Sequence, residues 1–368
     1  MPALGTWGFI VTFSGQSLRN VVGWWAFGVI AAISGIMLLV VFVREGHRVQ
    51  WRALPAPACA YTILCMASVI WSYYPRETVL AGLLMLATTA TGVLLACGLS
   101  LRQFTDALSR ALEATLVLSF LLELYVALIL REPLIPIYMK DWKEVPPSYI
   151  WVEGNIFKGG PIQGIVGNRN PLAFIALLTL ICVVVRWRDY RLRLPNFLIW
   201  SALSILTLVL TGSATVIVAA IVCGIVMLFM WLLRHVPVAL RTTVIVAAST
   251  LGVAAVSLAI GWHSQLIALL GRSPDMSGRW EIWLKVIDLW EQHTFLGWGW
   301  IMYWVPWIPM FGTLVIRPDG TPTLSAHNAY IEALFQTGVV GAAMIVVLVL
   351  TLLIRSFQLA VRYLDSDA

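Results

Sequence analysis

The residues best suited to chemistry are a histidine and an asparagine, His327 and Asn328, directly before the apolar stretch Tyr330–Ile354. The loop that precedes them carries arginines, among them Arg279. A histidine with a pKa of about 6.5 can accept a proton from a sugar hydroxyl at neutral pH. A guanidinium group binds two oxygens of a phosphate at once. At a membrane edge, these residue types indicate chemistry on an anion that a lipid carries, although His327 could also do no more than cap a helix.

The composition decides the class of protein. Of the 368 residues, 60% are hydrophobic and 11% are charged, and the mean hydropathy is +0.88. A soluble domain could not bury that much apolar surface, so we expect a membrane protein with several spans. The net charge of +6 is typical of basic cytoplasmic loops and does not indicate a nucleic-acid partner.

A helix needs about 20 mostly apolar residues to cross a bilayer core. This criterion predicts an all-α, polytopic transmembrane helical bundle with about nine spans. They lie near Val22–Val43, Pro55–Trp71, Thr78–Leu99, Leu112–Leu130, Pro171–Val185, Asn196–Leu210, Ala214–Leu233, Thr242–Gly261 and Tyr330–Ile354. Met1–Asn20 is too short and polar to cross by the same criterion, so we expect it along the interface. It lacks a basic start, and no cleavable signal peptide is predicted.

Basic residues follow every second predicted span. They are Arg44, Arg102, Arg186, Arg234 and Arg355, with further arginines beside them. Cytoplasmic loops carry such an excess, so the pattern places the amino terminus outside and the carboxyl terminus in the cytoplasm. Two long segments, Arg131–Asn170 and the outer loop 262–328, then face outward. We expect a multi-pass protein of the cytoplasmic membrane with its active site on the extracytoplasmic face.

The second outer loop contains two aromatic motifs. Ser277–Trp290 has the spacing of an amphipathic helix, with Arg279 in its first turn and Trp283 on its apolar face. Arg279 can bind a phosphate together with free backbone N–H groups, or the helix can be an anchor and nothing more. In Phe295–Trp300, glycines alternate with tryptophans, and Trp298 can cover a sugar face. A tight interfacial turn is the alternative.

The first outer loop ends in the segment Gly167-Asn168-Arg169-Asn170-Pro171. Pro171 suits a first helical turn with Asn170 as its cap, which puts Arg169 at the helix entrance. Arg169 can bind a diphosphate there or extend to lipid headgroups. The turn Thr211-Gly212-Ser213 between two spans can line a cavity or be a plain turn.

Two carboxylates fall inside predicted spans, Glu123 and Glu332. Each could relay protons, pair with an arginine or hydrogen-bond to a neighbouring helix, and we favour structural pairing. The five histidines lack metal-ligand spacing and the five cysteines lie in apolar runs, so no metal and no cofactor are expected.

In order and spacing these pieces resemble the O-antigen ligase and polysaccharide polymerase family of bacterial membrane proteins. The matching elements are Gly167–Ala173, Thr211–Ser213, Ser277–Arg279 with Trp283, Leu296–Gly299, and Ala326–Tyr330 with Gly338 and Gly341. The resemblance implies a GT-C-like helical glycosyltransferase architecture. It divides the chain into residues 1–166, with the amino-terminal spans and first outer loop, and 167–368, a ligase-like catalytic region with the last span 330–354.

The resemblance also implies an activity. Members pass a glycan from a polyprenyl (undecaprenyl) diphosphate at the outer membrane face to a glycan, lipid or wall-polymer acceptor, by an inverting and metal-independent transfer. Arg169 and Arg279 would bind the diphosphate and His327 would act as the base. The implied substrate-binding residues are Asn168, Asn170, Ser213, Trp283, Trp298 and Asn328. Members often have an arginine where Ala214 stands, and they usually have more helices at both ends.

Other functions remain open on the sequence alone. Ligase and polymerase differ only in the acceptor, which these residues do not identify. A flippase or exporter of lipid-linked glycans would carry charges along the middle of several spans. Here the spans are nearly free of charge and the elaborate loops lie on one side, which favours the enzyme. An inactive membrane scaffold is the third possibility.

Overall fold

A computed structural model of the chain describes residues 1–189, 191–262, 265 and 278–363. Within these residues the regular elements are helices, and β pairing is limited to two isolated bridges, Leu134 with Val152 and Ile316 with Pro322. The predicted all-α class is confirmed. Ser277, and the parts of the predicted outer loop at 263–264 and 266–277, lie outside the described residues.

The helices are numbered in chain order. They are α1 Pro2–Phe13, α2 Gly15–Arg44, α3 Ala56–Ala67, α4 Pro75–Gly98, α5 Leu101–Tyr125, α6 Arg169–Arg188, α7 Leu194–Thr211, α8 Ala214–Arg234, α9 Val238–Gly261, α10 Arg279–Trp290, α11 Pro309–Gly312 and α12 Ala329–Arg362. A π-helical turn extends α5 to Leu130, and a 3-10 turn extends α3 to Ile70.

Eight helices in the described part of the chain are long and apolar enough to cross a membrane: α2, α4, α5, α6, α7, α8, α9 and α12. They confirm eight of the nine predicted spans. The remaining predicted span, Pro55–Trp71, corresponds to the shorter apolar helix Ala56–Ile70. At 1.5 Å per residue this helix covers roughly 22 Å, less than a bilayer core of about 30 Å. The predicted span is therefore present as a shorter apolar helix, and its crossing of the membrane stays a prediction.

The chain divides into two compact units. Unit 1 comprises 1–53 and 87–221, and unit 2 comprises 54–86 and 222–368. Each unit has its own cores of buried apolar side chains. Unit 1 carries Arg169, whereas unit 2 carries Arg279 and His327.

In unit 1 the amino-terminal residues pack lengthwise along a membrane-spanning helix. Gly5 lies against Ala107 of α5, and Ser14 is buried with its hydroxyl 3.3 Å from that of Thr115. The two contacts advance together along α1 and α5, so the helices are parallel. The expectation that Met1–Asn20 lies flat along the interface is therefore wrong.

The same residues form a hairpin with the rest of α2. Gly23, with φ of 81°, breaks α2, and the two arms meet where Trp7 Nε1 donates to Ser34 Oγ at 2.8 Å. The start of α1 lies beside Glu45, just after Arg44, so it shares a side with the basic connection after α2. We predicted these two on opposite sides of the membrane, and that prediction is wrong. Residues 2–22 together cover about 31 Å when the break after Phe13 is disregarded. This length is enough to cross a bilayer core of about 30 Å.

Helix α10 confirms the predicted helix in the second outer loop. It begins at Arg279, and its buried face carries Ile282 and Val286. Trp280 stays exposed while Trp283 is partly buried. The helix thus contributes to the core of unit 2, with one tryptophan left at its surface.

Helix α12 is broken at Gly338, where φ is 66°, and the glycine–tryptophan segment fills the break. Four backbone hydrogen bonds join α12 to this segment and to Thr294 just before it: Trp298 N–H to Phe335 O (3.1 Å), Gly299 N–H to Gln336 O (3.0 Å), Val339 N–H to Thr294 O (2.9 Å) and Val340 N–H to Phe295 O (3.4 Å). A broken helix leaves N–H and C=O groups that need new partners. The segment supplies them, so part of this motif has a structural task.

Glycine is required at Gly297 because the two backbones meet there. A Cβ atom on Gly297 would lie 2.5 Å from Phe335 O, and φ at this position is +67°. Gly320 has a similar φ of +78°, but a Cβ atom there would meet nothing within 4 Å. A comparison of substitutions at Gly297 and Gly320 therefore separates the energetic cost of backbone strain from that of close contact.

We predict that Gly297→Ala destabilises the protein more than Gly320→Ala. Both substitutions place alanine at positive φ, at a cost of about 1 kcal/mol. Gly297→Ala must also displace α12, which adds roughly 1–3 kcal/mol. Thermal unfolding of the purified protein measures both changes. Equal midpoints for the two variants would show that the close contact at Gly297 has no energetic weight.

Candidate active site

His327 lies between the outer loop and α12 in a conformation that residues with side chains seldom adopt. Its φ is 51°, in the left-handed region, and its side chain is exposed. Such a conformation costs on the order of 1 kcal/mol and persists where neighbouring contacts impose it.

Both neighbours of His327 are fixed. Trp283 Nε1 donates to Ala326 O at 2.9 Å, and Ala326 N–H donates to Glu332 Oε2 at 2.7 Å. On the other side, Asn328 Oδ1 accepts hydrogen bonds from the first N–H groups of α12. Asn328 is therefore the cap of this helix, and its implied contact with substrate stays a prediction. The imidazole is held by contacts to the residues before and after it.

Glu332 joins the outer loop to α12. Its Oε1 accepts hydrogen bonds from Trp304 Nε1 and Gln336 Nε2, both at 2.6 Å, in addition to the Ala326 bond at Oε2. Gln336 in turn accepts from two backbone N–H groups, those of Ile301 and Met302, at 2.8 and 3.1 Å. The carboxyl group is thus a structural acceptor, as favoured from the sequence, but these three partners are two N–H groups of the loop and the Gln336 amide of α12 rather than an arginine.

An aromatic core lies next to this network. The ring centroids of Trp304, Phe311 and Phe335 are 5.9 to 6.1 Å apart, and Tyr74 packs on Phe311 at 5.4 Å. Trp304, Phe311 and Phe335 are almost completely buried. The loop that carries His327 is therefore a packed structure with its own core.

The surroundings of His327 favour its neutral form. The atoms packed around the ring lower the pKa of His327 below its usual 6.5 by removing hydration, although one side of the ring is open to solvent. The positive charges of Arg279 and Arg317 lower the pKa further, because they repel the imidazolium. At neutral pH the ring is unprotonated and can accept a proton.

Arg317 is a member of this group that our sequence reasoning missed. It begins a tight turn in which Gly320 N–H donates to Arg317 O at 2.9 Å, and Arg317 N–H donates to Thr321 O at 2.8 Å. The signal that could have identified it is the turn sequence Arg317-Pro318-Asp319-Gly320. Such a turn fixes the position of its first residue, and this arginine lies ten residues before His327.

Arg279 and Arg317 carry charges that the protein does not neutralise. Within the residues that the structure describes, neither guanidinium is part of an ion pair, whereas Lys285 on the same helix as Arg279 pairs with Glu281 at 2.8 Å. Both arginines are half-buried. The positive charges of both arginines act on His327, and binding of an anionic group there stays a prediction.

The two tryptophans predicted to bind substrate also donate hydrogen bonds to backbone carbonyls within unit 2. Trp283 donates to the carbonyl before His327, and Trp298 Nε1 donates to Leu289 O at 2.8 Å. The Trp298 ring lies 4.6 Å from that of Tyr73 and 4.5 Å from that of His293. Substrate contact by either tryptophan stays a prediction.

The arginine of the first outer loop occupies a similar position in unit 1. Asn168 is the N-cap of α6, with its side chain accepting from Asn170 N–H at 3.0 Å, and the helix begins at Arg169. The predicted cap, Asn170, lies inside the first turn, so that prediction is wrong. Asn170 Oδ1 accepts from the hydroxyl of Ser213, which is fully buried, at 2.8 Å. The Thr-Gly-Ser turn thereby fixes the entrance of α6.

Glu123 fixes the segment before this helix. Its Oε1 accepts from the N–H groups of Gln163 and Gly164 at 2.7 and 2.8 Å. One turn earlier, Ser119 Oγ accepts from Ile165 N–H at 3.2 Å. Glu123 thus has the structural role that we favoured, with backbone N–H groups as its partners.

The candidate residues therefore form two local groups. Asn168, Arg169, Asn170 and Ser213 belong to unit 1, and Trp283, Arg279, Arg317, His327 and Asn328 belong to unit 2. Trp298 is also in unit 2. Joint action of Arg169 with Arg279 and His327 on one diphosphate stays a prediction.

We predict that Arg317→Gln raises the pKa of His327. Removal of a nearby positive charge stabilises the imidazolium, so the ring binds its proton at higher pH. The pH dependence of His327 modification by diethyl pyrocarbonate, followed by mass spectrometry, gives the midpoint. Lys285→Gln is the matched control, because it removes a charge that Glu281 already neutralises. The same midpoint in wild type and Arg317→Gln would remove Arg317 from the group.

The comparison with known families covers the second of these groups. Residues 199–346 match the family model described as O-Antigen ligase. The match includes Ser213, Arg279, Arg317 and His327, whereas Arg169 precedes it. No curated protein matches the chain.

Proposed function

We propose that this protein transfers a glycan from a polyprenyl diphosphate to an acceptor, because residues 199–346 match the family model described as O-Antigen ligase. The membrane-spanning helices and the family together indicate a multi-pass membrane protein of cell-surface polysaccharide biosynthesis. We place the reaction at the outer face of the cytoplasmic membrane. The observation that supports the transfer concerns His327, whose pKa is lowered by the packing around its ring and by the positive charges of Arg279 and Arg317.

Arg279 and Arg317 bind the diphosphate in this proposal. As the bond between sugar and phosphate breaks, negative charge grows on the leaving oxygen, and the arginines stabilise it more strongly than in the ground state. A hydrogen bond to a charged group contributes roughly 1.5–3 kcal/mol, so two arginines can accelerate the reaction by a few hundredfold or more. Arg169 is a further candidate for the same anion.

His327 removes the proton from the acceptor hydroxyl. The acceptor oxygen attacks the anomeric carbon, the diphosphate leaves with the electron pair of the broken bond, and the proton passes to Nε2 or Nδ1 of His327. Attack from the face opposite the leaving group inverts the anomeric centre. General-base catalysis of this kind contributes on the order of 10²–10⁴ in rate.

The arginines link the two halves of this reaction. In the free protein their charges lower the pKa of His327. A bound diphosphate offsets those charges, so the pKa of His327 rises and the ring becomes a stronger base when donor is present. His327 therefore activates the acceptor mainly when the donor is bound. Without the donor, removal of the acceptor proton is limited.

The direct test uses purified protein, a polyprenyl-diphosphate glycan and candidate acceptors, with release of free polyprenyl diphosphate as the readout. We expect wild-type protein to release it in step with glycan transfer, and His327→Ala to lose at least about a hundredfold in rate. His235→Ala is a control, since this exposed histidine contacts the backbone of its own helix. Full activity of a well-folded His327→Ala protein would remove His327 from the mechanism. Glycan movement without bond cleavage would instead indicate an exporter.

Arg279→Lys tests how the diphosphate is bound. Lysine keeps the charge but cannot place two parallel N–H groups on the phosphate oxygens. We expect the variant to insert and fold normally and to lose most of its transfer rate. Lys285→Arg is the reciprocal control on the same helix and should retain activity. Normal product from Arg279→Lys would contradict the proposed role in diphosphate binding.

A further inference from the structure

Another arginine without a carboxylate partner among the described residues, Arg19, lies in the amino-terminal hairpin. Arg19 is half-buried, and its Nε is buried with no hydrogen-bond partner among the described residues. Its neighbour Asn20 is 2% exposed, and Nδ2 of its amide likewise lacks a partner there. Two buried donors on adjacent residues are costly, at about 1–3 kcal/mol each, unless an acceptor meets them.

The geometry around them is well defined. Arg19 Cζ lies 4.5 Å from the Trp24 ring centroid and 5.9 Å from that of Tyr138. Asn20 Oδ1 accepts hydrogen bonds from the Tyr138 hydroxyl at 3.3 Å and from Arg19 Nη2 at 3.5 Å. These contacts occupy the face of the guanidinium and the oxygen of the amide. The remaining donors are the edge of the guanidinium and the amide nitrogen.

The chemistry of these donors selects an anion with several oxygens. The positive charge of Arg19 is met by aromatic faces and an amide oxygen, which stabilise a cation without neutralising it. A phosphate group supplies both the negative charge and the acceptors, and it matches the fork of an arginine. A neutral ligand would leave the charge uncompensated.

The position of the cluster favours a phosphate that belongs to a lipid. Trp24 is 58% exposed and its neighbour Trp25 is 92% exposed, as expected for side chains at the level of lipid headgroups. Tyr138 belongs to the segment between α5 and α6. One turn before Asn20, Gln16 Nε2 would lie 2.6 Å from a Cβ atom on Gly167, which is two residues before Arg169. The cluster is therefore next to the entrance of α6.

We propose that Arg19 and Asn20 form a binding site for the phosphate of a lipid, with the exposed Trp24 ring as the part that moves to admit it. The lipid can be the polyprenyl-linked donor or an anionic phospholipid, since both present the same group. The site does not depend on the transfer reaction, and its occupancy can be measured without any turnover.

The test is native mass spectrometry of the detergent-purified protein with polyprenyl phosphate, phosphatidylglycerol or inorganic phosphate added separately. We expect wild-type protein to retain a lipid phosphate, and Arg19→Gln to retain it at least about tenfold less. Arg19→Lys should also retain less than wild type, because it loses the fork. Arg131→Gln is the control: this exposed arginine at the end of α5 donates to Leu128 O and should bind lipid as wild type does.

The outcomes separate the possible ligands. Preference for polyprenyl phosphate identifies the donor, and equal retention of phosphatidylglycerol identifies a headgroup site; either supports the proposal. Binding of inorganic phosphate alone contradicts it. So does equal retention by wild type and Arg19→Lys, or an equal loss in Arg131→Gln. If Arg19→Gln fails to fold, Arg19→Lys carries the test, because it keeps the charge and loses only the fork.

Discussion

The candidate active site depends on one carboxyl group, that of Glu332 in the first turn of α12. It accepts hydrogen bonds from Ala326 N–H, Trp304 Nε1 and Gln336 Nε2, three groups from different parts of unit 2. A side-chain carboxyl at a helix start is stabilised by the helix dipole, and its two oxygens can accept more bonds than an amide or a hydroxyl. These hydrogen bonds hold the outer loop in a fixed position against the start of α12. The left-handed backbone of His327 is maintained because the residue before it is bonded at both N–H and C=O.

Unbalanced positive charge is the second recurring feature. Arg186 and Arg191 in unit 1 are neutralised by Asp106, Glu113 and Asp189. Arg279 and Arg317 have no such partners among the described residues, and Arg19 contacts only rings and an amide. A half-buried cation without a counter-ion is costly unless a ligand supplies the charge. The arginines that serve structure and those available to an anion can therefore be told apart by their partners.

Several features followed from local pattern. Eight spans could be predicted because about 20 apolar residues in succession have one stable arrangement in a bilayer. The helix at Arg279 and the cap at Asn328 follow from residue type and spacing over a few positions. The errors arose where contacts with other helices determine the local structure. We predicted that Met1–Asn20 is too short and polar to cross, yet Gly5 and Ser14 pack along α5. Asn168 caps α6 rather than Asn170, because Asn170 is used by Ser213.

Composition and short-range pattern were enough to establish the class of protein, most of its membrane helices and the candidates His327, Arg279 and Arg169, since these depend on residue type and on neighbours along the chain. The tertiary structure alone decided what each group faces. It placed Arg317 where its charge acts on His327, and it bonded the glycine–tryptophan motif to the break in α12. It also left Arg19 without a counter-ion among the described residues. The reason is physical: hydrogen bonds and charges act over a few ångströms in space, and residues distant in the chain reach that range only in the folded protein.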